Sequence, residues 1–172
     1  MKSNKLSKSQ GFTIIETLIV LAIAATIFLV VFLAVSALNR SSRNTQRKDD
    51  AVAVVAGFSE YASNNSGVLP SSATFAAPNL NLCNIAGCGG TDAQSQVKLG
   101  YYSGFSTTIS TKGDVYIGNS LVVGAATDAL DIITGATCSG TAPVAGGSRS
   151  VAAVYGIESG ASGSFSWQCQ SS

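Results

Sequence analysis

The chain opens polar, becomes almost wholly apolar, and then alternates. Residues 1–10 are polar and basic, and from Phe12 to Leu38 nearly every position is apolar. Within that stretch Leu18–Val35 carries no charge. As an α-helix at 1.5 Å per residue the segment spans about 40 Å, enough to cross a hydrocarbon core of roughly 30 Å. A signal peptide competes with this reading, because Val35-Ser36-Ala37 offers small residues for cleavage. Its hydrophobic region, however, normally runs only about 7–15 residues. A transmembrane anchor fits the length better.

Nothing after Leu38 stops a helix until Ser63. Asn39–Asp50 forms a polar collar, and Ala51, Val55, Phe58 and Ala62 then recur at helical spacing as an apolar stripe. Asn64-Asn65-Ser66-Gly67 reads as the stop, with glycine as the cap. One helix of about 50 residues is the simplest account; two helices broken at the collar are the alternative. The expected division is residues 12–38 as a membrane helix, 39–66 as its amphipathic continuation, and 67–172 as a globular head.

The texture of the head differs. Pro70, Pro78, Gly87, Gly89 and Gly90 punctuate a polar stretch to about Gln96, which predicts a long surface loop. Short β-branched and aromatic runs then alternate with glycine: Leu99–Phe105, Val115–Ile117, Leu121–Val123, Leu130–Ile133, Val151–Ile157 and Ser164–Cys169. Val151, Ala153, Tyr155 and Ile157 share one face of their strand, as Phe165, Trp167 and Cys169 do of theirs. The expected fold is α+β, a long N-terminal helix packed on an antiparallel sheet of four or more strands whose apolar face buries the Val55/Phe58 stripe.

Charge sharpens this division. The net charge is +1, yet seven of the ten Lys/Arg (Lys2, Lys5, Lys8, Arg40, Arg43, Arg47 and Lys48) precede residue 51. Beyond it Lys98, Lys112 and Arg149 face six acidic residues, a head of net −3 that argues against a nucleic-acid partner. By the positive-inside rule the three leader lysines favour a cytoplasmic N-terminus, while the collar favours the opposite. The chain has no histidine, so a Ser-His-Asp triad is impossible and the commonest metal ligand is missing. Gly87–Gly90 lacks the lysine and helix start of a phosphate loop. Asp128 and Asp131 read as solvated turn carboxylates rather than Ca²⁺ ligands, because no EF-hand pattern surrounds them. No catalytic, cofactor or metal site is expected, and the chain is not expected to be an enzyme.

Glu16 is the residue that hydropathy leaves unexplained. A carboxylate near one end of a membrane helix can snorkel to the interface, and on physics alone that suffices. Its neighbours suggest more. Gly11-Phe12-Thr13-Ile14-Ile15-Glu16, after a Lys-rich leader and before an apolar helix, resembles the type IV prepilin signature. The resemblance implies cleavage between Gly11 and Phe12 by a prepilin peptidase, which makes residues 1–11 a leader, and N-methylation of Phe12. Glu16 would pair with the N-terminal amine of a neighbouring subunit. The same resemblance implies an N-in, head-out orientation in the cytoplasmic membrane, an assembly platform, and a helical filament of this and other pilins. One feature departs from many members of that family: the first proline is Pro70, so the apolar helix has none.

An exported head makes its four cysteines disulfides, paired most simply as Cys83–Cys88 and Cys138–Cys169, with the other two connectivities open. The functions to separate are a structural pilus subunit for adhesion, twitching or DNA uptake, a pseudopilin of a type II secretion system, a DNA-capturing minor pilin, and a membrane-anchored enzyme.

Overall fold

Between Phe12 and Ala56 the chain has neither proline nor glycine, so no residue interrupts the backbone ladder. The computed structural model contains one unbroken helix there, α1, Ile14–Asn64, of 51 residues. The alternative of two helices is thereby excluded. The structure describes residues 11–84, 95–105, 114–118, 128–160 and 164–172. The chain divides into two compact units, Met1–Arg40 and Ser41–Ser172.

In the first unit the large apolar side chains from Phe12 to Leu38 are all solvent-exposed, Phe12 at 88% and Phe32 at 75%. By length and composition the helix can cross a membrane. Its few hydroxyls satisfy themselves on the helix: Thr17, Thr26 and Ser36 donate to the carbonyls of Ile14, Ile23 and Leu33 at 2.8, 2.8 and 3.1 Å. Such back-bonding lets a polar side chain sit in hydrocarbon without a partner.

The second unit sets the rest of α1 against β-structure. The strands are β1 Ser72–Ala76, β2 Asn79–Cys83, β3 Ser95–Lys98, β4 Gly104–Phe105, β5 Asp114–Gly118, β6 Leu130–Thr134, β7 Ala136–Ser139, β8 Ala142–Ala145, β9 Val151–Glu158 and β10 Phe165–Ser171. They form sheets ordered β1-β2-β3, β10-β9-β6-β5-β4 and β7-β8. In the largest sheet β10, β9 and β6 are antiparallel, whereas β6, β5 and β4 run parallel. The fold is thus α+β as expected, with a mixed rather than purely antiparallel sheet.

Burial follows the pleat. Val151, Ala153 and Tyr155 join Ala51, Val54, Val55, Phe58 and Tyr61 of α1 in the main core, together with Leu80, Leu82 and Val97 of the small sheet. Gly57 permits that approach, because a Cβ there would collide with Val97 Cγ2. The opposite face carries a second cluster, Ile133, Ala136, Ala152 and Val154, against Cys138, Trp167 and Cys169. The large sheet is therefore apolar on both faces, and the Trp167/Cys169 face of β10 turns toward β7 rather than toward the helix.

Three sequence expectations need correction. The surface loop after the helix is instead the sheet β1-β2-β3, with Leu80 and Leu82 fully buried; the alternation Asn79-Leu80-Asn81-Leu82 was its period-2 signal. The expected strand Leu99–Phe105 is extended only at Gly104–Phe105, for a reason given below. At the helix stop the first left-handed residue is Ser66 (φ 56°), followed by Gly67 (φ 84°), whose N–H donates to Ala62 O at 2.7 Å. The expected strand Leu121–Val123 and the leader residues 1–10 lie outside the described residues.

One face of the polar collar is buried while the rest stays exposed. Arg47 is buried (1% exposed), and its Nη2 lies 2.6 Å from Asp128 Oδ1 and 3.2 Å from Glu158 Oε1. The same nitrogen donates to Tyr101 Oη at 2.6 Å, and that hydroxyl donates onward to Asp128 Oδ1 at 2.7 Å. Burial pushes the Tyr101 phenol above its ordinary value. One turn back, Arg43 grips Glu158 with two bonds of 2.8 and 2.6 Å. Asn44 accepts from Glu158 N and donates to Glu158 O, closing the end of β9 as a strand partner would. Asp50 accepts from the backbone N–H groups of Gly100, Tyr101 and Tyr102 at 2.7, 2.8 and 3.0 Å. Those three donors are thereby withdrawn from any ladder, and residues 100–102 form a loop. Asp128, expected in a solvated turn, is 5% exposed and part of this network; Asp131 is also buried, at 2%.

Removing one partner of a buried ion pair leaves the other uncompensated, at a cost of about 3–5 kcal/mol. Arg47→Met should lower the melting temperature of the detergent-solubilised chain by roughly 10–20 °C, and adding Asp128→Asn should recover most of that loss. Asp131 behaves differently, since burial pushes its carboxyl from 3.8 up to about 6. The folded state holds that proton more tightly than the unfolded chain. Its contribution is therefore fully present below about pH 4 and is lost as pH rises through 6. Asp131→Asn should stabilise the protein on the order of 1 kcal/mol at pH 7 and leave it unchanged at pH 4. Thermal melts at the two pH values check this.

Candidate assembly site at the helix N-terminus

The first turn of a helix leaves N–H groups without partners, and the start of α1 meets this with its own side chains. Thr13 immediately precedes the helix and Glu16 sits three residues on. Thr13 N donates to Glu16 Oε2 at 2.8 Å, and Glu16 N donates to Thr13 Oγ1 at 3.3 Å. This reciprocal pair is a capping box. The Thr13 hydroxyl also donates to Glu16 Oε2 at 2.7 Å. A carboxylate here additionally faces the positive end of the helix dipole.

Glu16 therefore has a local role within a single chain. Its bonds fall on Oε2 alone; no described residue bonds Oε1. The box lies wholly between residues 13 and 16, so a cut after Gly11 would leave it intact and place a new ammonium on Phe12, beside Thr13. Phe12 itself is 88% exposed. At Gly11 a Cβ would meet nothing within 4 Å and φ is not left-handed. Neither packing nor backbone conformation in this chain requires a glycine there, in contrast to Gly57.

The cysteines divide. Cys138 of β7 and Cys169 of β10 form a disulfide with Cα atoms 5.7 Å apart, 31 residues apart in sequence. In the chain-entropy picture such a loop contributes about 3–4 kcal/mol. Cys83 is also disulfide-bonded; Cys88, its expected partner, lies outside the described residues. Among the described residues no group of three or more His, Cys, Asp or Glu could hold a metal ion. The polar residues that sequence reasoning missed are Arg47 and Asp50, both within the collar. Their signal was a spacing of three and four residues, which puts Arg43, Arg47 and Asp50 on one face of α1 in line with the apolar stripe.

Residues 6–35 match the family model described as the prokaryotic N-terminal methylation motif. That motif is the signal of type IV pilins and pseudopilins, and this chain has the N-terminus of a pilin-like or pseudopilin precursor. The motif implies processing by prepilin peptidase and assembly into a filament. No curated protein and no solved structure matches the chain significantly.

Proposed function

We propose that this chain is a structural subunit of a type IV pilus-like filament, cut after Gly11, N-methylated on Phe12 and polymerised through the first half of α1. The observation that carries this reading is a helix whose apolar side chains are exposed from Phe12 to Leu38, with a carboxylate at its start. Before assembly the bilayer covers those side chains; after assembly, the helices of other copies do. The N-terminus lies on the cytoplasmic side and the head outside, which gives the disulfides an oxidising compartment.

Glu16 then does two jobs with two oxygens. Oε2 closes the helix start, and Oε1 receives the ammonium of Phe12 from a neighbouring copy. A buried carboxylate in a filament core is tolerable only with such a partner. Gly11 supports the processing step, because the glycine answers no need of the chain's own fold and suits an extended peptide in a protease site. A pseudopilin of a type II secretion system is the second reading, and the same motif favours it equally.

Two substitutions separate the jobs of Glu16. Glutamine can still close a capping box but cannot pair with an ammonium. Glu16→Gln should insert in the membrane normally while its incorporation into sheared surface filaments falls at least tenfold, as for Glu16→Val. Normal filament yield from Glu16→Gln would reduce Glu16 to a helix cap and remove the pairing role.

A further inference from the structure

At the far end of α1 the last turn meets Arg149, in the turn before β9, across a cleft of about 410 Å³ lined by Ser59, Ala62, Ser63, Ser66, Gly67 and Arg149. Its size falls within the roughly 300–1,000 Å³ of small-ligand sites. Arg149 is exposed and makes no ion pair with any described residue. Its guanidinium lies over Gly67, close enough that a Cβ there would meet Arg149 Cζ. Gly67 has a φ of 84°, so the backbone there favours glycine and leaves room for the guanidinium. Arg149 presents a planar fork of N–H donors suited to a carboxylate.

The hydroxyls opposite decide which anion suits it. Ser59 Oγ donates to Val55 O at 3.0 Å, and Ser63 Oγ donates to Ser59 O at 2.9 Å. Their protons are spent, so what they offer the cleft is oxygen lone pairs. Phosphate or sulfate, with acceptor oxygens on every side, would meet acceptors. A carboxylate on a ring that bears hydroxyl groups fits both halves, its charge against Arg149 and its O–H groups donating to Ser59 and Ser63. We infer that this cleft binds an acidic sugar, a uronic-acid unit of a saccharide, with Arg149 holding the carboxylate.

This site is independent of filament assembly, so it can be tested on the detergent-solubilised full chain whatever becomes of Glu16. Glucuronate, glucose, acetate and inorganic phosphate are titrated separately and followed by NMR shifts of the Ser59–Gly67 amides. Glucuronate should bind with a Kd on the order of 1 mM; glucose, which lacks the charge, should bind at least tenfold weaker, and acetate and phosphate, which lack the ring hydroxyls, should bind severalfold weaker. Arg149→Gln should erase the preference for glucuronate over glucose, whereas Lys98→Gln should leave it intact; unchanged melting temperatures establish that both variants are folded. Equal affinity for glucose, or a preference surviving in Arg149→Gln, would overturn the proposal. Acetate or phosphate binding as tightly as glucuronate would overturn the sugar assignment.

Discussion

Burying Arg47 obliges the head to bring two carboxylates and a tyrosine hydroxyl to one point on α1. Asp128 arrives from just before β6, Glu158 from the end of β9, and Tyr101 from the loop after β3. Each comes from a different part of the sheet system, so satisfying one guanidinium fixes the placement of three segments against the helix. Its ring contacts add to this, with Arg47 Cζ 4.5 Å from the Tyr101 ring centroid and 5.1 Å from that of Phe165. Asp50, three residues on, holds the Tyr101 loop by its backbone. The apolar stripe from Ala51 to Ala62 then supplies burial, while the collar supplies register. Hydrophobic packing alone is non-directional; the ion pairs make the docking specific.

The same helix meets a different requirement in its first half. There it is apolar all round, and its hydroxyls and carboxylate are satisfied by its own backbone and by Thr13. Such a segment can sit in lipid or among identical helices without changing a hydrogen bond. The capping box alters how Glu16 is to be understood. Hydropathy presented it as a cost awaiting a partner, but half of the carboxylate is already employed in holding the helix start. On the proposed reading Glu16 would serve the monomer and the assembly through different oxygens, with no rearrangement between the two states.

Much of this was legible from residue patterns. The long helix followed from an uninterrupted run without proline or glycine, and the inward face of β9 from the period-2 set Val151, Ala153 and Tyr155. The Cys138–Cys169 bridge belonged to the simplest of three pairings that the four cysteines allowed, and the structure selects it. What escaped were features in which a polar group answers a distant one. Arg47 and Asp50 looked like solvent-facing collar because the carboxylates and N–H groups that bury them lie 50 or more residues away. Asp128 looked like a turn residue for the same reason, whereas Asp131 is buried within β6 by its neighbouring strands. The strand expected over Leu99–Phe105 had the right composition, and a single aspartate diverted its donors. The first sheet was hidden by Pro70 and Pro78, which punctuate strands β1 and β2 without entering them.

As a proposed pilus subunit, the processed chain would leave the membrane with its new N-terminus in a filament core. Mass spectrometry of fibres sheared from cells making the protein addresses this most directly. Intact chains should begin at Phe12, with one methyl group on the α-amine. Fibres lacking this chain, or a native N-terminus at Leu38 or Asn39 as ordinary signal-peptide cleavage would leave, would contradict this reading.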